Sequence, residues 1–215
     1  MRWLRTLEEI LWPRGLKCLC CDELSEGALL CQACLTELHG MRLPAHLSGD
    51  DLVRSVYRYD GRAKELVLLL KMNCVADAAK VLAQGMADTV RELKLPPETV
   101  LTWVTMPERR RRERGVDHGR LLCQAVSELT GLPVRRLIVR TGRARTQRGL
   151  TREARLHNLS GTMTCCGRID VPVLLIDDVL TTGATVSACA SVLMAAGAPG
   201  VYAVTAAKAM LHPND

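Results

Sequence analysis

Two adjacent carboxylates, Asp177 and Asp178, are followed at once by a small hydroxyl-rich run, Thr181, Thr182, Gly183, Ala184 and Thr185. A run of this kind at a helix N-terminus presents unpaired backbone N–H groups with hydroxyls beside them, which is a cradle for phosphate; Gly183 lets the backbone come close. Carboxylates beside a phosphate would repel it unless they face sugar hydroxyls or share a divalent cation with it. The combination therefore points to a sugar phosphate carrying both features. The elements that must hold these residues are legible on either side. Pro172 and the apolar run Val173 to Ile176 predict a strand buried on both faces of a parallel sheet, ending at the two acids. Val186 to Ala196 predicts a helix opening on the hydroxyl run. In open α/β sheets, ligands bind at the carboxyl ends of strands. A plainer reading, a capped helix behind a core strand with solvated acids, accounts for each residue singly but not for their order.

A second constellation lies near the start. Cys18, Cys21, Cys31 and Cys34 form two C-x2-C pairs around a turn-like spacer, Ser25, Glu26 and Gly27. This is zinc-ribbon spacing: each pair caps a tight knuckle, and four thiolates close a tetrahedron around Zn²⁺. So short a segment has little core, so the metal would supply much of its folding energy. Disulfides or a vestigial site are the alternatives, and Cys20 offers a second register in place of Cys21. The other cysteines, Cys74, Cys123, Cys165, Cys166 and Cys189, sit in apolar or small-residue contexts and read as buried hydrophobes.

The 215 residues allow one good core and a small extra module, with 48% hydrophobic and 24% charged residues. The expected division is a helix and zinc-ribbon module over 1–45 and an α/β domain over 51–215. Strands are expected at Asp51 to Tyr59, Val100 to Met106, Val134 to Val139 and Val201 to Ala206. Helices are expected at Arg62 to Met72, Val75 to Leu93 and Arg120 to Leu129. This alternation predicts a doubly wound parallel sheet. No apolar run approaches a membrane span, so no membrane insertion is expected. Glu8, Glu9, Pro13 and Arg14 spoil a signal peptide, while Trp3, Leu7 and Leu11 share one face of a short helix. A cytoplasmic setting with reduced thiols follows.

Net charge is +6, yet residues 109–155 hold fourteen arginines and no lysine against four acids, a surplus of ten. Arginine rather than lysine favours forked contacts to phosphate. A pyrophosphate-binding wall, a groove for single-stranded DNA, and a solvated face for Arg109 to Arg112 all remain open. With no Phe and only 3% aromatic residues, a base-stacking platform is disfavoured. His118, His157 and His212 lack a second ligand at metal spacing and read as ordinary polar positions.

The stretch Val173 to Thr185 resembles the signature of type I phosphoribosyltransferases, which bind 5-phosphoribosyl 1-pyrophosphate (PRPP). The wider order resembles the ComF family over roughly Cys18 to Ala207. Its features are a cysteine-paired N-terminus, a helical middle, an Arg-rich loop after Pro107, Arg114-Gly115, then Gln147, Leu150, Arg155 and Asn158, and last the PRPP loop. Members of that family are phosphoribosyltransferase-like proteins linked to DNA uptake in natural transformation. The resemblance implies a type I phosphoribosyltransferase fold behind the zinc ribbon. It places Asp177 and Asp178 against the ribose hydroxyls and Thr181 to Thr185 around the 5-phosphate. Pro107, Glu108, Arg109 and Arg110 would line the diphosphate, and Arg155 would serve catalysis from a closing segment. Mg²⁺ would accompany PRPP, and competence-machinery proteins would be partners. Where the family has Phe-Asn-Gln after its Arg-Gly, this chain has Val116, Asp117 and His118, which sets a carboxylate near the expected diphosphate. Lys71 matches a family lysine but also reads as a helix-end cation facing the dipole.

Overall fold

The computed structural model describes residues 17–44, 48–49, 52–73, 75–106, 115–140 and 163–210. The expected helix before Lys17 and the residues Cys74, Pro107, Glu108, Arg109, Arg110, Arg114, Gln147, Leu150, Arg155 and Asn158 lie outside them.

After the cysteine knuckles comes α1 (Gln32–Gly40), then β1 (Val53–Arg58), α2 (Gly61–Asn73) and α3 (Ala76–Glu92). β2 (Val100–Trp103), α4 (His118–Thr130), β3 (Ile138–Arg140) and β4 (Met163–Cys165) follow, and β5 (Val173–Leu180), α5 (Ala184–Ala195) and β6 (Val201–Lys208) close the order. The main sheet runs β1-β6-β5-β2 with every pairing parallel. That is the expected α/β architecture.

Strand β5 is central because its sequence tolerates burial on both sides. Side chains alternate across a strand. Leu174 and Ile176 accordingly join the core under α2, α3 and α4, while Val173 and Leu175 join a second core with Val186, Cys189 and Leu193 of α5. All four are fully buried. Each fully buried side chain of this size contributes about 1.5–3 kcal/mol, so the site rests on a strand anchored from both faces. Leu30, Cys34 and Leu38 of the cysteine module bury into the same core as Leu66 and Leu70 of α2.

The strand expected at Val134 to Val139 is corrected. Val134 makes only an isolated parallel bridge to Leu101, and Ile138–Arg140 pairs antiparallel with Met163–Cys165 in a separate two-stranded sheet. Arg135 and Arg136 are the cause: both are exposed, and two consecutive guanidiniums cannot both leave solvent in a strand buried on two faces.

Candidate functional site

Being neighbours on a strand, Asp177 and Asp178 leave β5 toward opposite faces. Asp178 turns to the side of α2 and α4 and is only 6% exposed. Lys71, in the last turn of α2, places Nζ 2.8 Å from Asp178 Oδ1, and His118, the first residue of α4, donates from Nε2 to Oδ2 at 3.0 Å. Burial alone would raise this carboxyl, but the His118 hydrogen bond and the Lys71 charge outweigh it and hold Asp178 below the usual carboxylate range. Asp177 goes the other way. Burial, reinforced by the charge of Asp178, pushes it up to about 7, although the Asp178 N–H bonded to its Oδ1 at 2.9 Å and the cations Lys71 and Arg140 pull downward.

Two sequence readings change here. His118 is no ordinary polar position, and Lys71 does more than face a helix dipole: both are bound to the signature carboxylate. No spacing rule links residues so far apart in the chain to Asp178. What brings His118 in is a close approach of α4 to β2 at Gly119, where an added Cβ would meet Val104 O at 3.0 Å and Trp103 Cδ1 at 3.1 Å. Asp117 is placed differently from the expectation as well. Its carboxylate accepts from Trp103 Nε1 at 3.0 Å and caps α4 through Arg120 N at 3.3 Å, so both oxygens are engaged by the protein.

Below the carboxylates the chain turns through Thr181, Thr182 and Gly183 into α5. Gly183 occupies the N-cap with φ 77°, the left-handed region that favours glycine. Ala184 N reaches Thr182 Oγ1 at 3.4 Å, which steadies the turn. A cavity of about 410 Å³ opens at this end of the sheet. Asp177, Asp178, Thr181 and Thr185 line it together with Lys71 and His118; Thr182, Gly183 and Ala184 form the turn without lining it. Tyr59, Thr105 and Arg140 also line it; sequence reasoning did not single out Thr105 and weighed Arg140 only as part of the arginine-rich stretch. Thr105 Oγ1 and His118 Nδ1 are buried without hydrogen-bond partners. Both belong to residues that line the cavity, which suits a polar ligand. For Mg²⁺ the fit rests on Asp177, because the two Asp178 oxygens are engaged by Lys71 and His118 and hard cations take oxygen ligands.

The cysteine quartet assembles as its spacing implies. The Sγ atoms of Cys18, Cys21, Cys31 and Cys34 all lie within 4.8 Å of one another, and those of Cys21 and Cys31 are 3.6 Å apart. Four thiolates about 2.3 Å from a tetrahedral zinc would stand roughly 3.8 Å apart, so the residues fit the metal. Burial would raise the Cys18 thiol, but backbone hydrogen bonds at Cys31, Cys20 and Cys21 bring it down to about 6. Cys20 stands outside the quartet and lines a small groove with Leu19 and Leu68; burial and the nearby Cys18 charge push its thiol up to about 12. The register is therefore Cys21. No disulfide joins the described cysteines. Cys123 and Cys189 are buried as expected, whereas Cys166 is exposed.

The site is thus a parallel sheet whose strand β5 ends in an acidic pair and a hydroxyl-rich turn, behind a four-cysteine module. No family model matches the chain. It is similar to the DNA utilization protein YhgH of Salmonella typhi, 29% identical over 143 residues, covering 64% of this chain and 61% of that relative's length. Among solved structures it is similar to the allosteric regulatory enzyme of purine biosynthesis, at 18% identity and TM-score 0.44 over 64% of this chain and 27% of that one. It is also similar to adenine phosphoribosyltransferase from Leishmania tarentolae, at 19% identity and TM-score 0.39 over 64% of this chain and 60% of that one. Among the described residues no helix is long and apolar enough to cross a membrane.

Proposed function

We propose that the chain binds PRPP with Mg²⁺ at the carboxyl end of β5, in the service of DNA uptake or utilisation. The observation that carries this is one cavity lined at once by the carboxylates Asp177 and Asp178 and by the hydroxyls of Thr181 and Thr185. The turn from Thr181 to Thr185 holds the 5-phosphate through backbone N–H groups and hydroxyls. Asp177 accepts hydrogen bonds from the ribose hydroxyls, since Asp178 is engaged by Lys71 and His118. Mg²⁺, when bound, neutralises charge on the diphosphate. If the group is transferred, a nitrogen nucleophile displaces pyrophosphate at C1 of the ribose. Arg155 and the pyrophosphate loop Pro107 to Arg110 complete the site in this reading. The DNA role is supported by the similarity to a DNA utilization protein and by the arginine surplus of residues 109–155.

Calorimetry on folded, zinc-loaded protein tests the proposal. PRPP with Mg²⁺ should release or absorb measurable heat, and ribose 5-phosphate should compete weakly, keeping the loop contacts without the diphosphate. Asp177→Asn should weaken binding roughly tenfold to a hundredfold, the usual range for one charge-assisted hydrogen bond. A titration without heat in protein of verified fold would end the PRPP reading.

A further inference from the structure

We propose that a second, phosphate-binding site lies on the outer side of β2, beside the sugar-phosphate cavity, and receives the phosphate of the group that accepts phosphoribose. The acceptor role rests on the function proposed above. The anion site itself stands on separate geometry.

A cavity of about 580 Å³ opens between the end of β2 and the first turns of α4. Met106 lines both this cavity and the sugar-phosphate cavity, so the two adjoin where β2 gives way to the expected pyrophosphate loop. Arg120 and Arg136 line the outer cavity from two different elements, with Gln124 beside them. Both arginines are exposed, and neither has an ion pair among the described residues. Among the described residues the acid lining this cavity is Asp117, and its two oxygens are engaged by Trp103 Nε1 and Arg120 N.

Among the described residues no unengaged carboxylate lines the concavity beside these two guanidiniums, so an anion is the ligand they favour. Their planar forks match phosphate oxygens better than a lone ammonium would, and Gln124 adds an amide that can donate to an ester oxygen. Because Met106 borders both cavities, a ligand seated here adjoins the cavity proposed to hold the ribose. The shared chemistry is a phosphate group, and it has two sources: a free nucleotide, or the phosphodiester backbone of a single strand.

The test titrates thymidylate mononucleotide and a thymidylate oligomer separately into the full-length, zinc-loaded protein at low salt. Arg120→Gln and Arg136→Gln should each weaken anion binding roughly tenfold or more, with PRPP binding unchanged and thermal unfolding near wild type. For the oligomer, each variant should also lower the salt slope by about one. A response confined to the mononucleotide identifies a small phosphorylated acceptor; one confined to the oligomer identifies a strand. Either supports the site. It is overturned if neither ligand binds wild type, if the variants bind both ligands as wild type does, or if PRPP binding falls in step with them. Oligomer binding that responds to Arg136→Gln, in a protein that ignores PRPP, would retain the anion site and discard the acceptor role.

Discussion

Lys71 Nζ lies 2.8 Å from Asp178 Oδ1, joining the end of α2 to the end of β5 inside the candidate site. With His118 on the other oxygen, one buried carboxylate ties two helices to the central strand. Paired acids in such a signature invite the view that both face the ligand. Here one of them organises the pocket wall, while its neighbour Asp177 lines the cavity without such a clamp and is the carboxylate proposed to meet the ligand.

Removing one cation from this clamp should therefore cost stability. Lys71→Met should destabilise by about 2 kcal/mol or more in urea denaturation, less than a fully buried pair because Lys71 keeps 29% of its side chain exposed. His118→Gln, which retains a donor, should cost less. In the double variant Lys71→Met with Asp178→Asn part of the loss should return, since no buried charge is then left unpaired. Additive losses would show that the two side chains do not act as a pair.

The neighbouring carboxyls should respond to pH with opposite signs. Asp178 is held below its ordinary value, so its contribution is present above the unfolded carboxyl range and disappears as pH falls through the folded one. Asp177 is raised to about 7, so the folded state holds an extra proton between the ordinary carboxyl value and neutrality, and stability declines as pH rises through that window. Asp177→Asn should accordingly melt a few degrees higher than wild type at pH 8, with the gap closing toward pH 4. PRPP affinity should strengthen as pH rises through about 7, with proton release visible as a dependence of binding heat on the buffer. Identical melting differences at both pH values would contradict the raised Asp177.

Gly183 offers a backbone test. Its φ of 77° disfavours any side chain, although the nearest atom to an added Cβ, Leu180 Cδ1, is 3.9 Å away. Gly183→Ala should therefore cost about 1–2 kcal/mol through conformation rather than crowding. Gly183→Val should also weaken PRPP binding, because a branched side chain at positive φ distorts the turn proposed to present its N–H groups to the 5-phosphate. An alanine variant as stable as wild type would argue against the left-handed turn.

For the cysteine module, protein purified under reducing conditions without chelator should carry close to one zinc per chain. Cys31→Ser and Cys21→Ser should lose metal and destabilise the chain, since Cys34 and Leu38 belong to the main core. Cys20→Ser should keep its zinc. Full metal content in Cys21→Ser, measured by elemental analysis, would move the ligand to Cys20.

The strand, the acidic pair, the hydroxyl-rich turn and the cysteine quartet were legible in the residues themselves. Each depends on chemistry packed into a few consecutive positions: an apolar run buried on both faces, a glycine where φ turns positive, two C-x2-C knuckles. Their outcome is set by neighbours in the chain, which local pattern reports. The clamp on Asp178, the opposite titration of Asp177, the engagement of Asp117 by Trp103 and the arginine-lined cavity beside β2 were decided only by tertiary structure. Each joins elements far apart in sequence, such as the end of α2, the first turn of α4 and the tip of β5. Electrostatic partnership depends on distance and burial, and neither is written in spacing along the chain. The failed strand at Val134 to Val139 has the same origin: its residues suit a sheet, but Arg135 and Arg136 require water on the side where a sheet would have buried them.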